Sequence, residues 1–213
     1  MEGNAKIMFA KQIFGQNYIG KKELTSFLYE LNFEPEEIDS ISIPNIQFSK
    51  KILLKHSKDY ILILGIKNLK NVNISIRFMR TMLGISSDNN KPSFYNQDWY
   101  VNERFIDLSL DTKWYLVKKT VFDELRAHNP NELIFNNIKL PSALLCTYTF
   151  FAVYFNSGEI LWPNDYVWCC DTDHNGDQIY VGRYEDANKI NKNGFSIHRY
   201  LTLNQSYSSI NIL

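Results

Sequence analysis

The sequence predicts an α+β protein, mainly antiparallel sheet with three or four packed helices. Two observations lead there. β-Branched and aromatic runs bounded by Asn, Asp and Gly recur at residues 166–170, 179–181 and 195–201, the pattern of strands joined by turns. Apolar residues at helical spacing mark residues 22–31, 74–83 and 141–156. The 213 residues are 45% hydrophobic and 15% aromatic, which is enough to bury a sizeable core in one large domain or two small ones.

The first 20 residues are mixed, with Met8, Phe9, Ile13 and Phe14 as their apolar positions. In residues 22–31, Leu24, Phe27, Leu28 and Leu31 fall on one helical face. Pro35 and Pro44 punctuate the next stretch, and Ile41, Ile43 and Ile46 suit a short extended piece. The continuous apolar run at 60–66 reads as a strand covered on both faces. A helix over 74–83 has Asn73 or Ser75 as its cap, Ile74, Phe78, Met82 and Leu83 inward, and Gly84 as its stop. The polar loop 86–92 is the expected boundary between an N-terminal unit (1–90) and a C-terminal unit (91–213).

Within the second unit, residues 113–118 alternate as a strand, and residues 120–127 read as a short helix ended by Asn129 and Pro130. Pro141 opens a helix to about Asn156 with Gly158 beyond it. That helix is apolar nearly all round, so it belongs at the centre of the core. Asn175-Gly176 is a strong hairpin signal between the strands at 166–170 and 179–181. The hairpin tip, residues 171–177, is expected to stand in water.

Composition excludes several classes. The 23 basic and 23 acidic residues cancel to +0, so no global field draws the protein to nucleic acid or a membrane. No run approaches the roughly 18–20 apolar residues that span a bilayer, and the N-terminal stretch lacks signal-peptide features; a cytoplasmic location without a membrane partner is expected. Cys169 and Cys170, adjacent on one strand, should face opposite sides, and Cys146 reads as a buried structural thiol. No CxxC knuckle, GxSxG, HExxH or P-loop occurs.

Leu140-Pro141-Ser142 before a helix, Val167-Trp168-Cys169, Gln178-Ile179-Tyr180-Val181-Gly182 and a closing Phe195-Ser196-Ile197-His198-Arg199 together resemble the C-terminal domains of the C-type-lectin-like superfamily, in the group shared by formylglycine-generating-enzyme-like and Lcl C-terminal families. The likeness covers the C-terminal region alone. Catalytic members need paired active-site cysteines, and the adjacent Cys169 and Cys170 do not provide that arrangement. The resemblance therefore implies a binding or structural scaffold.

Four sets of residues could carry chemistry. Asp171, Asp173 and Asn175 occupy positions 1, 3 and 5 of a calcium-type loop with Gly176 at position 6, and Asp177 and His174 add further ligands. Position 12 is Gly182 where a bidentate Glu belongs, so a solvated turn competes with a Ca²⁺ site. Tyr95, Trp99, Tyr100 and Trp114, with Phe94 and Tyr115, could line a ligand or partner groove; core packing is the competing role. Arg183, His198 and Arg199 could clamp a carboxylate or phosphate; cross-strand surface pairing with Asp or Glu is the competing and favoured role. Lys67, Lys70, Arg77, Arg80 and Lys91, set against Asp88 alone, could meet phosphates, or form a charged outer face. The preferred reading is a non-enzymatic binding or interaction domain of a bacterial or mobile-element protein, with an unknown protein or small ligand as partner. The alternatives are a metal-dependent hydrolase or nuclease acting through residues 171–177, and a nucleic-acid-binding module using the helix with Arg77 and Arg80.

Overall fold

The buried run at 60–66 and the apolar helix after Pro141 set the architecture. A computed structural model of the chain describes residues 2–85, 91–136, 138–186, 193–199 and 203–213. In chain order the elements are α1 (Glu2–Phe14), β1 (Tyr18–Ile19), α2 (Thr25–Glu30), α3 (Pro35–Asp39), α4 (Lys50–His56), β2 (Tyr60–Leu64), β3 (Asn68–Leu69), β4 (Val72–Asn73), α5 (Ile76–Leu83), β5 (Trp114–Lys118), α6 (Pro130–Phe135), α7 (Ala143–Ser157), β6 (Tyr166–Thr172), β7 (Gln178–Gly182), β8 (Ser196–Arg199) and β9 (Tyr207–Ser208). The fold is α+β with mainly antiparallel sheets. Among the described residues it has seven α-helices, more than the three or four expected.

Every residue of β2 is buried. It lies between β1, parallel to it, and β5, antiparallel, with Leu62 opposite both Tyr18 and Leu116. This sheet takes strands from both sides of residue 90, and one buried cluster runs from Ala10 to Ile210. Most of the loop placed at 86–92, residues 86–90, lies outside the described residues.

The central helix forms as its sequence dictates. The Ser142 hydroxyl accepts the Leu145 N–H at 3.1 Å, and Gly158, at φ +75°, closes the far end by donating to the Tyr154 carbonyl. Residues 143–153 are all buried. Helix α7 starts at Ala143, two residues later than expected, because Ser142 takes the cap while the Pro141 carbonyl accepts Cys170 N–H from β6. Helix α5 has the expected Ser75 cap and Gly84 stop. Its inner face turns on Ile76 and Met79, and Met82 is exposed.

Three segments depart from the sequence expectation. Residues 120–127 form a three-residue 3₁₀ turn (Asp123–Leu125) instead of an α-helix. The Phe122 and Ala127 N–H groups there donate to Ser209 and Tyr207 carbonyls, so the C-terminal segment competes with helix formation. The stretch holding Ile41, Ile43 and Ile46 forms no strand; the Pro44 carbonyl accepts the Trp114 indole N–H. Helix α1 occupies the mixed N-terminal stretch, with Ala10 and Phe14 buried and Met8 exposed.

The three strands read near the C-terminus are β6, β7 and β8, joined antiparallel. The short β9 adds in parallel to β6, giving the order β8-β7-β6-β9. The expected strand end at Tyr200 and Leu201 lies outside the described residues. Side chains alternate across the sheet. Val167, Cys169, Ile179, Val181 and Ile197 join the core that contains α7. Trp168, Tyr180 and Tyr207 form a second buried cluster with Leu133 and Leu140, and Tyr166 packs on it. Cys169 is buried and Cys170 exposed; these two and Cys146 are free thiols. No helix among the described residues is long and apolar enough to cross a membrane.

Candidate functional site

The second face of the C-terminal sheet carries an aromatic array. Tyr166, Tyr180 and Tyr207 have ring centroids 4.8–5.2 Å apart. The His198 ring stacks on Tyr180 at 5.4 Å and meets Tyr166 edge-on at 5.6 Å. These residues share a face through strand register: Tyr180 lies opposite both Trp168 and His198, and Tyr166 opposite Tyr207.

A cavity of about 260 Å³ opens beside this array, lined by Tyr95, Tyr166, Arg183, Tyr184, Glu185, Asp186, Ser196, His198, Asn204 and Tyr207. It is slightly smaller than the ~300–1,000 Å³ usual for drug-sized ligands. Burial pushes the His198 imidazole down to about 4, so the ring is neutral at pH 7. The Gln97 amide nitrogen lies 3.0 Å from His198 Nε2 and 3.1 Å from Nδ1, a donor suited to an unprotonated ring nitrogen. Burial also pushes the Tyr166 phenol up to about 12, which keeps it uncharged.

Arg183 is the cation of this cavity. Strand β7 ends at Gly182, φ +117°, where a Cβ would stand 2.7 Å from the Asp165 carbonyl oxygen. Arg183 itself has φ +40°, a left-handed backbone that is costly for a residue with a Cβ. Its N–H donates to that same carbonyl at 2.8 Å. The turn sets the guanidinium 5.7 Å over the Tyr166 ring. One terminal nitrogen reaches the Ser206 hydroxyl at 3.3 Å, and the buried Nε has no hydrogen-bond partner among the described residues. Arg126 is a contrast: its guanidinium pairs with Asp165 at 2.7 Å and Asp123 at 2.9 Å.

The hairpin tip stands in water at Thr172, His174, Asn175 and Gly176, as the sequence predicts, but its centre does not. Asp173 is buried; one carboxylate oxygen accepts Asn175 and Asp177 N–H groups, and the other accepts Arg199 at 3.2 Å. Asp171 turns away to accept the Ala143 N–H at 2.6 Å, at the start of α7. Burial pushes the Asp171 pKa up, against the opposing effect of that bond. Asp171, Asp173, Asn175 and Asp177 therefore do not gather as a calcium loop would require. Glu103, buried and unforeseen, accepts both the His174 N–H at 3.0 Å and its ring Nδ1 at 2.6 Å; the ring contact raises the His174 pKa. Glu103, Asp173 and His174 bring ligand atoms within 4.8 Å of one another, beside a cavity of about 690 Å³. These three could meet a metal ion, but protein donors already hold both carboxylates. The arrangement reads as a closed clamp tying the hairpin to the segment before the 3₁₀ turn Arg104–Asp107.

The remaining candidates separate. Tyr100 and Trp114 are fully buried in the core rather than lining a groove; Trp114 packs against Tyr18 at 5.3 Å. Trp99 donates its indole N–H to the Ile197 carbonyl and lies under Arg199. Arg199 is thus spent on Asp173 and Trp99. Four of the five cations in the expected basic set meet carboxylates: Lys70 with Glu37, Arg77 with Asp107, Arg80 with Asp98, and Lys91 with Glu30, each at 2.6 Å. Asp88 lies outside the described residues. Tyr95, Arg183 and His198 are the sequence-chosen residues that converge. Tyr166, Tyr184 and Tyr207 join them; the two-residue alternation of β6 and β7 carried the signal for Tyr166, and nothing local marked Tyr207.

Compared with protein-family models, with curated proteins and with solved structures, the chain has no significant match to any of them.

Proposed function

We propose that the chain is a non-enzymatic binding domain that holds a small ligand in the cavity between Tyr95, Tyr166, Arg183, His198 and Tyr207. One observation carries this reading: among the described residues, Arg183 has no carboxylate partner although it is half-buried in a tyrosine-lined cavity. Glu185 and Asp186 also line the cavity, but removing a cation from water without a paired acid costs free energy, and the strained Arg183 backbone adds to that cost. Such costs cluster at ligand sites. The aromatic faces supply apolar contact area, and Ser196 and Asn204 supply polar groups that could fix orientation. The resemblance of the C-terminal region to C-type-lectin-like binding domains agrees with this reading. The ion-paired state of Lys70, Arg77, Arg80 and Lys91 weighs against a phosphate-binding surface.

A thermal-shift screen with amino acids, neutral sugars, sugar phosphates and nucleotides tests the proposal. At least one class should raise the melting temperature of the wild-type protein and fail to raise that of Arg183→Met. A screen with no stabilising compound, or one with equal shifts in both proteins, rejects this cavity as the ligand site.

A further inference from the structure

Resting on that reading of the cavity, the geometry points to a ligand of the amino-acid class: a small zwitterion whose carboxylate meets Arg183 and whose ammonium group meets Glu185. Arg183 and Glu185 line one cavity and lie two residues apart, yet no ion pair joins them within 4.0 Å. The Glu185 backbone is engaged, its N–H donating to the Pro163 carbonyl at 3.0 Å, while its exposed side chain has no hydrogen-bond or ion-pair partner among the described residues. Here the left-handed turn at Gly182 and Arg183 breaks the strand alternation and lays the guanidinium over Tyr166 instead. A ligand with both charges can satisfy both groups at once.

The rest of the lining fits this occupant. His198 and Tyr166 carry no charge at pH 7, so they leave the balance between Arg183 and the acids undisturbed. A planar guanidinium matches a carboxylate through parallel N–H donors, and its Nε stands without an acceptor among the described residues. Tyrosine faces attract an ammonium group and receive an apolar side chain. The volume of about 260 Å³ limits the ligand to a single small molecule. A simple anion would leave Glu185 unused, and a neutral sugar would leave the Arg183 charge uncompensated.

Titration calorimetry of the whole chain tests this with L-leucine and L-phenylalanine, their amides, their deaminated acids and methyl glucoside. At least one amino acid should bind about 10- to 100-fold tighter than its amide or its deaminated acid, as loss of one charge-assisted contact implies. Arg183→Met should remove the preference over the amide, and Glu185→Gln the preference over the deaminated acid, with circular dichroism confirming that both variants fold. If the deaminated acid binds as well as the amino acid, or if methyl glucoside binds and the amino acids do not, the zwitterion assignment is wrong while the cavity still stands as a binding site. If nothing binds here and the broader screen is also silent, both are wrong.

Discussion

Phe195→Ala is expected to destabilise the protein by about 3–5 kcal/mol, the range for truncating a buried aromatic. Phe195 is fully buried where residues 93–95 meet α7 and β8. Its ring lies 4.6 Å from Phe150 and 5.8 Å from Phe151 on α7, and 6.3 Å from Phe94. Its backbone holds the same place, with its N–H donating to Ser93 and its carbonyl accepting Tyr95 N–H. Truncation therefore opens a cavity under α7, β8 and residues 93–95 together, and rigid backbone pairing limits collapse into it. Set against the roughly 5–15 kcal/mol of a typical domain, the loss should shift the urea midpoint far to lower concentration. A cost below about 1 kcal/mol would mean that this junction is not the packed core described.

The second large effect follows from His198. Its imidazole has an ordinary pKa of 6.5, and burial lowers it to about 4 in the folded chain. The unfolded chain therefore binds the proton more readily between those values. Stability from keeping His198 neutral is complete above pH 6.5 and is lost as pH falls toward 4. At 1.36 kcal/mol per unit, the loss amounts to about 3 kcal/mol. His198→Gln cannot take up this proton, so its stability should fall less steeply across the same interval. Denaturation curves of the two proteins at pH 7, 6, 5 and 4 check this. Parallel declines would show that the His198 ring is solvated when folded.

Much of the C-terminal half was legible because its signals are local. Ser142, an unbroken apolar stretch and Gly158 specify α7 without reference to anything distant. Asn175-Gly176 between two β-branched runs specifies the β6–β7 hairpin. The failures come where a residue's partner lies far along the chain. The segment at 120–127 has helical spacing, but Ser209 and Tyr207 take its backbone donors. Arg77 and Arg80 look like a free basic face until Asp107 and Asp98 arrive from the next segment. Glu103 stands 71 positions from His174, so its contact with the tip, and the burial of Asp173, do not show when the tip's own residues are considered alone. In the candidate site, Arg183, His198 and Tyr95 were legible as residue types suited to binding. The lack of an acid paired with Arg183 among the described residues is a property of three-dimensional arrangement, and no spacing in the sequence encodes it.

On the proposed function the Arg183 guanidinium is held open for a ligand, while Arg126, nearby in the fold, is closed by Asp123 and Asp165. Nitrogen-15 spectra of the arginine side chains, recorded during titration with the amino acid that binds, address it directly. The Arg183 Nε–H signal should move and saturate with the ligand, and the Arg126 signal should stay in place. An Arg183 signal that does not move at saturating ligand, or one that moves no more than Arg126, would contradict the account.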